Sequence, residues 1–277
     1  MSERVDVTNG VDGKAHLLAR LNQEYRDLLD LAAGLDDKQW AATSPCEEWE
    51  VRDVIGHMVD VAESYLGYFT LAEKGWDVGA PLGWVAYPQA LSTCAQSYRR
   101  LPRLELLARL EGLSEPLLAK FEALDAEQWA TMLVPHRYGG PLPPFVMGVF
   151  QLIDYAVHSW DVRVATGGAD GIAYETAQPL VPFSFTVYNF IFNPEQAAGQ
   201  DVTLQYDVEH PDGTLEPWTV AIQGGQLVVA PGAPESPEAV LRLTPTQLLL
   251  RVFRHQSCGI TGDEDAVARF EKVLGTV

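Results

Sequence analysis

The residues of this 277-residue chain best suited to chemistry are Asp154 and His158, in the stretch Asp154-Tyr155-Ala156-Val157-His158-Ser159-Trp160-Asp161. Side chains four apart stand one above the other on a helix face, close enough to share a small ion. A third donor, His57, lies far upstream in Val51-Arg52-Asp53-Val54-Ile55-Gly56-His57-Met58, which also reads as an apolar helix face. Two imidazoles and one carboxylate make a common three-ligand metal set that leaves coordination positions open. The short D-x-x-x-H pattern is frequent by chance, so its setting decides. A carboxylate on a helix that is apolar on several faces is costly to bury unless a cation or a hydrogen-bond donor compensates it. Asp161, three residues after His158, is in reach to orient that ligand as an acceptor behind it. His16, His136, His210 and His255 fall in loops or on surface-like helix faces and receive no metal role. The same ligand trio serves non-haem iron oxygenases, usually on a β-barrel, and the helical setting here points instead to a bundle.

Helices must carry these donors. Leu17, Leu18, Leu21, Tyr25, Leu28 and Leu29 recur at helical spacing and stop near Gly34. Residues 51–74 form a second helix, with Val54, Ile55, Met58, Val61, Tyr65 and Phe69 inward, and Gly56 is read as leaving space beside the His57 imidazole. Residues 76–88, rich in Gly, Pro and Trp, read as a loop or lid. Helical patterns follow over 89–101 and 102–124, either two helices or one kinked at Pro102. A rigid turn over 136–144 then precedes the helix bearing Asp154 and His158. Short connections favour an antiparallel bundle, which builds metal sites from facing helices.

After Gly167-Gly168 the composition shifts to an aromatic stretch over 179–193, a helix or a covering segment. From Asp201 apolar residues alternate, as in Val202, Leu204 and Tyr206, with turn signals at Pro211-Asp212-Gly213, Gly224-Gly225 and Pro231-Gly232. Helical patterns at 245–254 and 263–274 close the chain. The expected class is α+β: a four-helix bundle over 1–168, an aromatic connecting segment over 169–200 and a smaller α+β domain over 201–277.

With 38 acidic against 19 basic residues the net charge is −19, and no Lys/Arg cluster interrupts it. Nucleic acid and anionic membranes are thereby excluded as partners. No apolar run approaches the ~20 residues that span a bilayer, and the N-terminus lacks a signal-peptide layout, so a cytoplasmic location is expected. Cys46, Cys94 and Cys258 are odd in number, dispersed and without C-x-x-C spacing, and are expected to be buried thiols.

Two segments resemble a known family. Thr43-Ser44-Pro45-Cys46-Glu47-Glu48-Trp49-Glu50-Val51-Arg52-Asp53-Val54-Ile55-Gly56-His57 resembles the T-P-C-x-x-W-x-V-x-D-[LV]-x-x-H motif of the mycothiol-dependent maleylpyruvate isomerase family, a DinB-like group. Residues 156–167, from Ala156 through His158 and Asp161 to Gly167, resemble its E-L-x-V-H-x-W-D-L-x-x-A-x-G motif. The resemblance implies a DinB-like four-helix bundle followed by a domain similar to sterol carrier proteins. It implies that His57, Asp154 and His158 bind a divalent ion, in this family most often zinc. The family carboxylate is usually Glu, so the shorter Asp154 draws the ion nearer its helix or loosens the site. The implied cosubstrate is mycothiol, a low-molecular-weight thiol of actinobacteria. A free thiol has a pKa of about 8.5, and zinc coordination deprotonates it. Addition of the thiolate to a small electrophilic substrate such as an activated alkene then gives isomerisation if the thiol departs after bond rotation, or S-transfer if it stays. The C-terminal domain is expected to close the cleft, with Arg251 and Arg254 as candidates for holding a substrate carboxylate. Two alternatives compete with this enzyme: a thiol-independent bundle enzyme of natural-product metabolism, and a non-catalytic binder in which the sterol-carrier-like domain and the aromatic segment hold an apolar ligand. Metal content separates enzyme from binder, and thiol dependence separates the two enzymes.

Overall fold

The structure, a computed structural model, describes residues 13–46, 48–83, 87–168 and 171–275. The polar leader, Glu47 of the first motif, the centre of the 76–88 loop and the first residues of the 169–200 segment lie outside the described residues. The chain divides into two compact units, Met1–Ile172 and Ala173–Val277, so the aromatic stretch falls in the second. The α+β class expected from the sequence is the one observed.

The first unit holds helices α1 (Lys14–Ala33), α2 (Asp37–Trp40), α3 (Val51–Glu73), α4 (Tyr87–Ser97), α5 (Arg103–Ala123), α6 (Ala126–Thr131) and α7 (Pro144–Ala165). The four long ones close a ring: α1 packs on α7 and α5, and α3 packs on α5 and α7. On α1 the predicted stripe of Leu17, Leu18, Leu21, Tyr25 and Leu28 is buried, each large apolar side chain contributing roughly 1.5–3 kcal/mol on leaving water. Helix α7 is buried on nearly every side, through Met147, Val149, Leu152, Ile153, Val157 and Val162 among others. A helix apolar all round belongs inside a bundle, which is why its pattern lacks a clean polar face. Inside the bundle the Ser114 and Tyr155 hydroxyls pair at 2.8 Å, whereas the enclosed Gln151 and Ser159 side chains of α7 have no hydrogen-bond partner among the described residues.

One local expectation is corrected, and one choice left open by the sequence is decided. Gly56 does not make room for His57. A Cβ there would lie 2.7 Å from the Ala95 carbonyl oxygen and 3.0 Å from Tyr98 Cβ, so the glycine permits the close approach of α3 to the end of α4. Pro102 does not kink one long helix either. Helix α4 passes into a 3-10 turn over Tyr98–Arg100, Leu101 is extended with ψ 138°, and Pro102 is the N-cap of α5. A proline disfavours helical backbone in the residue before it, so the chain breaks there. The short helices α2 and α6 were not anticipated, although their reciprocal caps, Asp36 with Gln39 and Asp125 with Gln128, are legible as D-x-x-Q.

The second unit begins with α8 (Tyr174–Ala177) and α9 (Val181–Ile191). It continues through β1 (Val202–Glu209), β2 (Leu215–Gln223), β3 (Gln226–Pro231), β4 (Ala239–Leu243), α10 (Pro245–Arg254), β5 (Gly259–Gly262) and α11 (Glu264–Glu271). The strands form one sheet in the order β3-β2-β1-β4-β5, with β1 and β4 parallel and the other pairs antiparallel. Val202, Leu204, Tyr206 and Val208 alternate inward along β1. The aromatic stretch is α9 itself: Phe185 meets Tyr206 edge-on at 5.5 Å, and Tyr188 meets Phe270 of α11 at the same distance. Strand β5, Gly-Ile-Thr-Gly, is too short to show alternation and was not anticipated. Among the described residues no helix is long and apolar enough to cross a membrane.

Candidate metal centre

The first motif folds into a turned-back loop that ends at α3. Thr43 bridges Glu50, the Val51 amide donates to the Ala42 carbonyl at 2.9 Å, and the Ser44 amide donates to the Trp49 carbonyl at 2.9 Å. At its tip the Cys46 amide donates to Ser44 Oγ at 3.2 Å, and Glu48 takes a left-handed conformation with φ 63°. The loop thereby presents Cys46 and Trp49. Trp49 Nε1 donates to Ser92 Oγ of α4 at 3.2 Å, tying the indole down. Its ring centroid lies 5.2 Å from that of His57 and 6.0 Å from that of His158, nearly parallel to the latter at 22°. Asp53, another motif residue, caps α3 by accepting from the Glu50 amide at 2.8 Å. Its other partner is the Arg99 guanidinium, whose Nε donates to Asp53 Oδ1 at 2.7 Å while a second nitrogen reaches Oδ2.

His57 on α3 and His158 on α7 are 2% and 7% exposed, and their rings meet edge to face at 4.9 Å. Asp154, one turn before His158, is half-buried. One donor atom each from His57, Asp154 and His158 lies within 4.8 Å of the others. His158 Nδ1 is 2.8 Å from Asp161 Oδ2, and Asp161 is completely enclosed. A carboxylate only accepts, so the His158 proton sits on Nδ1. Cys46 Sγ lies 3.2 Å from that same Asp161 oxygen and 3.9 Å from His158 Nδ1.

This donor set fits a zinc-class ion. Nitrogen and oxygen ligands at 2.0–2.1 Å on a tetrahedral ion stand about 3.4 Å apart. The three donors, within 4.8 Å of one another, therefore need to draw together by at most about 1.4 Å. Two turns beyond His57 on α3, Tyr65 is buried, and its phenol is held well above the ordinary range by that burial and, secondarily, by the Asp154 carboxylate.

Other sequence readings are revised. His136, read from sequence as lying in a loop or on a surface-like helix face, is in a loop and only 3% exposed. Its Nδ1 accepts from the Gly139 amide at 3.0 Å, the Tyr65 and Tyr68 rings pack against it, and burial pulls its pKa down to about 4. It lines a cavity of about 200 Å³ together with Asp60, Ser64, Tyr68, Cys94 and Arg137. The Tyr138-Gly139-Gly140 turn, which supplies that amide, was the available signal. His210 is likewise buried, between the Tyr174 hydroxyl and Glu216 Oε2, each at 3.0 Å. Cys46, Cys94 and Cys258 are partly exposed rather than buried, and Cys46, read from sequence as a buried thiol, stands beside His158. In the second unit Arg251 is buried, pairs with Glu271 and donates to the Gln256 carbonyl at 3.0 Å, while Arg254 donates to the Phe253 carbonyl at 2.6 Å.

A four-helix bundle with two histidines and an aspartate gathered between facing helices, followed by a smaller α+β unit, defines the class of protein. The model of the mycothiol maleylpyruvate isomerase N-terminal domain matches residues 21–163, and the chain belongs to that family. Among solved structures, the crystal structure of the mycothiol-dependent maleylpyruvate isomerase is similar, with a TM-score of 0.60 at 15% identity over 90% of this chain and 92% of that one. A histidine-to-alanine mutant of the mycothiol-dependent maleylpyruvate isomerase gives the same TM-score at 13% identity, with 90% and 92% coverage. At these identities the likeness is one of fold. No curated protein sequence matches the chain.

Proposed function

We propose that this chain is a metal-dependent enzyme of the maleylpyruvate isomerase kind, in which His57, Asp154 and His158 hold a divalent ion, zinc in the first instance. Its cosubstrate is a low-molecular-weight thiol such as mycothiol, and its substrate is a small electrophile. The observation that carries this is the meeting, within 4.8 Å, of a histidine from α3 with an aspartate and a histidine from α7. Bound there, the ion would acidify a thiol whose free pKa is about 8.5.

The chain's own residues set the conditions. Asp161 holds the proton on His158 Nδ1. Trp49 covers both imidazoles and keeps water from them. Tyr65 retains its proton on Oη beside the Asp154 carboxylate and serves as a donor. In this proposal residues 1–168 are the metal-binding bundle and residues 201–277 the sterol-carrier-like domain, with Arg251 and Arg254 as its candidates for a substrate carboxylate. A thiol that departs after bond rotation is regenerated and makes the enzyme a cis/trans isomerase. A thiol that stays is consumed one for one and makes it an S-transferase.

The test is elemental analysis of protein purified without added metal, followed by turnover with and without mycothiol. About one zinc per chain is expected, lost in His57→Ala and His158→Ala. Wild-type protein that stays empty when zinc is offered overturns the proposal, and metal-loaded protein whose turnover ignores thiol overturns the cosubstrate.

A further inference from the structure

The Asp161 side chain receives two donors on one oxygen. His158 Nδ1 reaches Oδ2 from α7 at 2.8 Å, and Cys46 Sγ reaches the same atom at 3.2 Å from the 41–50 loop. Both are hydrogen-bond distances, so protons already occupy the space among these three groups. The two ligand-like clusters of the first unit, Cys46/His158/Asp161 and His57/Asp154/His158, have only His158 in common. An imidazole whose Nδ1 serves one cluster has only Nε2 for the other. Cys46 is therefore on the supporting side of His158, and the ion on the opposite side.

We infer that Cys46 is a positioning residue: its thiol donates to the Asp161 oxygen that takes the Nδ1 proton of His158, and so fixes the tautomer and tilt of that imidazole without touching the ion. The loop makes this contact stiff. Cys46 is held through its amide on Ser44 Oγ, and three residues on Trp49 is anchored to Ser92 while its ring lies over His158. Losing the thiol leaves the enclosed Asp161 carboxylate one donor poorer. Serine keeps a donor, and alanine does not. Outer contacts of this kind typically carry 10–100-fold in metal affinity.

This inference rests on the proposed metal site for its effect on affinity, but not for its effect on the imidazole. The experiment therefore begins with metal-free protein labelled with ¹⁵N-histidine, comparing wild type, Cys46→Ser and Cys46→Ala by NMR. A single Nδ1–H tautomer of His158 is expected in the first two and a mixture in the third. Zinc affinity, read by competition with a chromophoric chelator, is expected to fall about tenfold in Cys46→Ala and to recover in Cys46→Ser. The cobalt-substituted wild type is expected to lack a thiolate-to-cobalt charge-transfer band. A Cys46→Ala protein with an unchanged His158 tautomer overturns the inference. So does a charge-transfer band that disappears in Cys46→Ser, since it would make Cys46 a ligand. If wild-type protein binds no zinc, the metal-dependent function fails, and the tautomer measurement still decides the role of Cys46.

Discussion

Among the described residues the bundle encloses two aspartates completely, Asp53 and Asp161, and they have opposite surroundings. Asp53 faces the Arg99 guanidinium through both carboxylate oxygens and also caps a helix. Its charge is matched by a cation at the bundle surface, and the pair ties α3 to the turn after α4. Asp161 instead faces a thiol and an imidazole, and that imidazole belongs in turn to the cluster with His57 and Asp154. A buried carboxylate with a guanidinium partner is complete as it stands. Carboxylates gathered around imidazoles favour a bound cation to balance them. Both aspartates belong to family-like motifs, and only their partners separate a structural role from a chemical one.

The comparison breaks most visibly at Arg99. Arg99→Met strands Asp53 without its cation, and a loss of about 3–5 kcal/mol is expected by urea unfolding. Zinc stoichiometry in the folded fraction should stay as in wild type. Asp53→Asn should cost less, because the partly exposed Arg99 can turn to water. A fully stable Arg99→Met would show that the ion pair is not what holds α3 in place.

His136 supplies a third kind of buried group, satisfied by a backbone amide and kept neutral by its burial. Its folded pKa of about 4 lies below the ordinary 6.5. Above pH 6.5 folded and unfolded chains are both neutral at this residue. Between 6.5 and 4 the unfolded chain binds the extra proton, so stability falls with falling pH, by up to about 3 kcal/mol, and this contribution levels off below pH 4. In His136→Gln the unfolding free energy should vary less between pH 7 and pH 4. An equally steep decline in that variant would assign the acid sensitivity to other groups.

The smallest effect is expected from Asp154→Glu, which restores the carboxylate usual in the family. Glutamate adds one methylene, and half-buried Asp154 leaves room for it to extend. Zinc affinity is expected to change by less than tenfold, about 1.4 kcal/mol. A larger gain would mean that the aspartate loosens the site, and a large loss would mean that the helices are spaced for the shorter side chain.

Much of the scaffold was legible in the residues. The leucine stripe of α1, the inward face of α3 and the alternation of β1 carry the helical and strand periods because one face of each is buried and the other is not. Legibility faded where burial is all-round or the element is short. Helix α7 has no polar face to mark its phase, β5 is too brief to alternate, and α4 and α5 part at Pro102 through backbone restriction rather than hydropathy. The site divided in the same way. Asp154 and His158 are four apart on one helix, so their proximity is local.

The sequence by itself determined the class of donors, the acidic surface, the α+β order of elements and, through two motifs, the kinship with the isomerase family. Local spacing and hydrophobic period suffice for these because they depend on neighbours within a few residues. Only the tertiary structure decided that α3 packs on α7 and brings His57 against His158, that Gly56 serves a helix contact, that His136 is enclosed, and that Cys46 stands behind His158 on the oxygen of Asp161. Each of these joins groups distant in sequence. Their meeting depends on which helix faces pack together, a property of the folded chain as a whole that no window of residues contains.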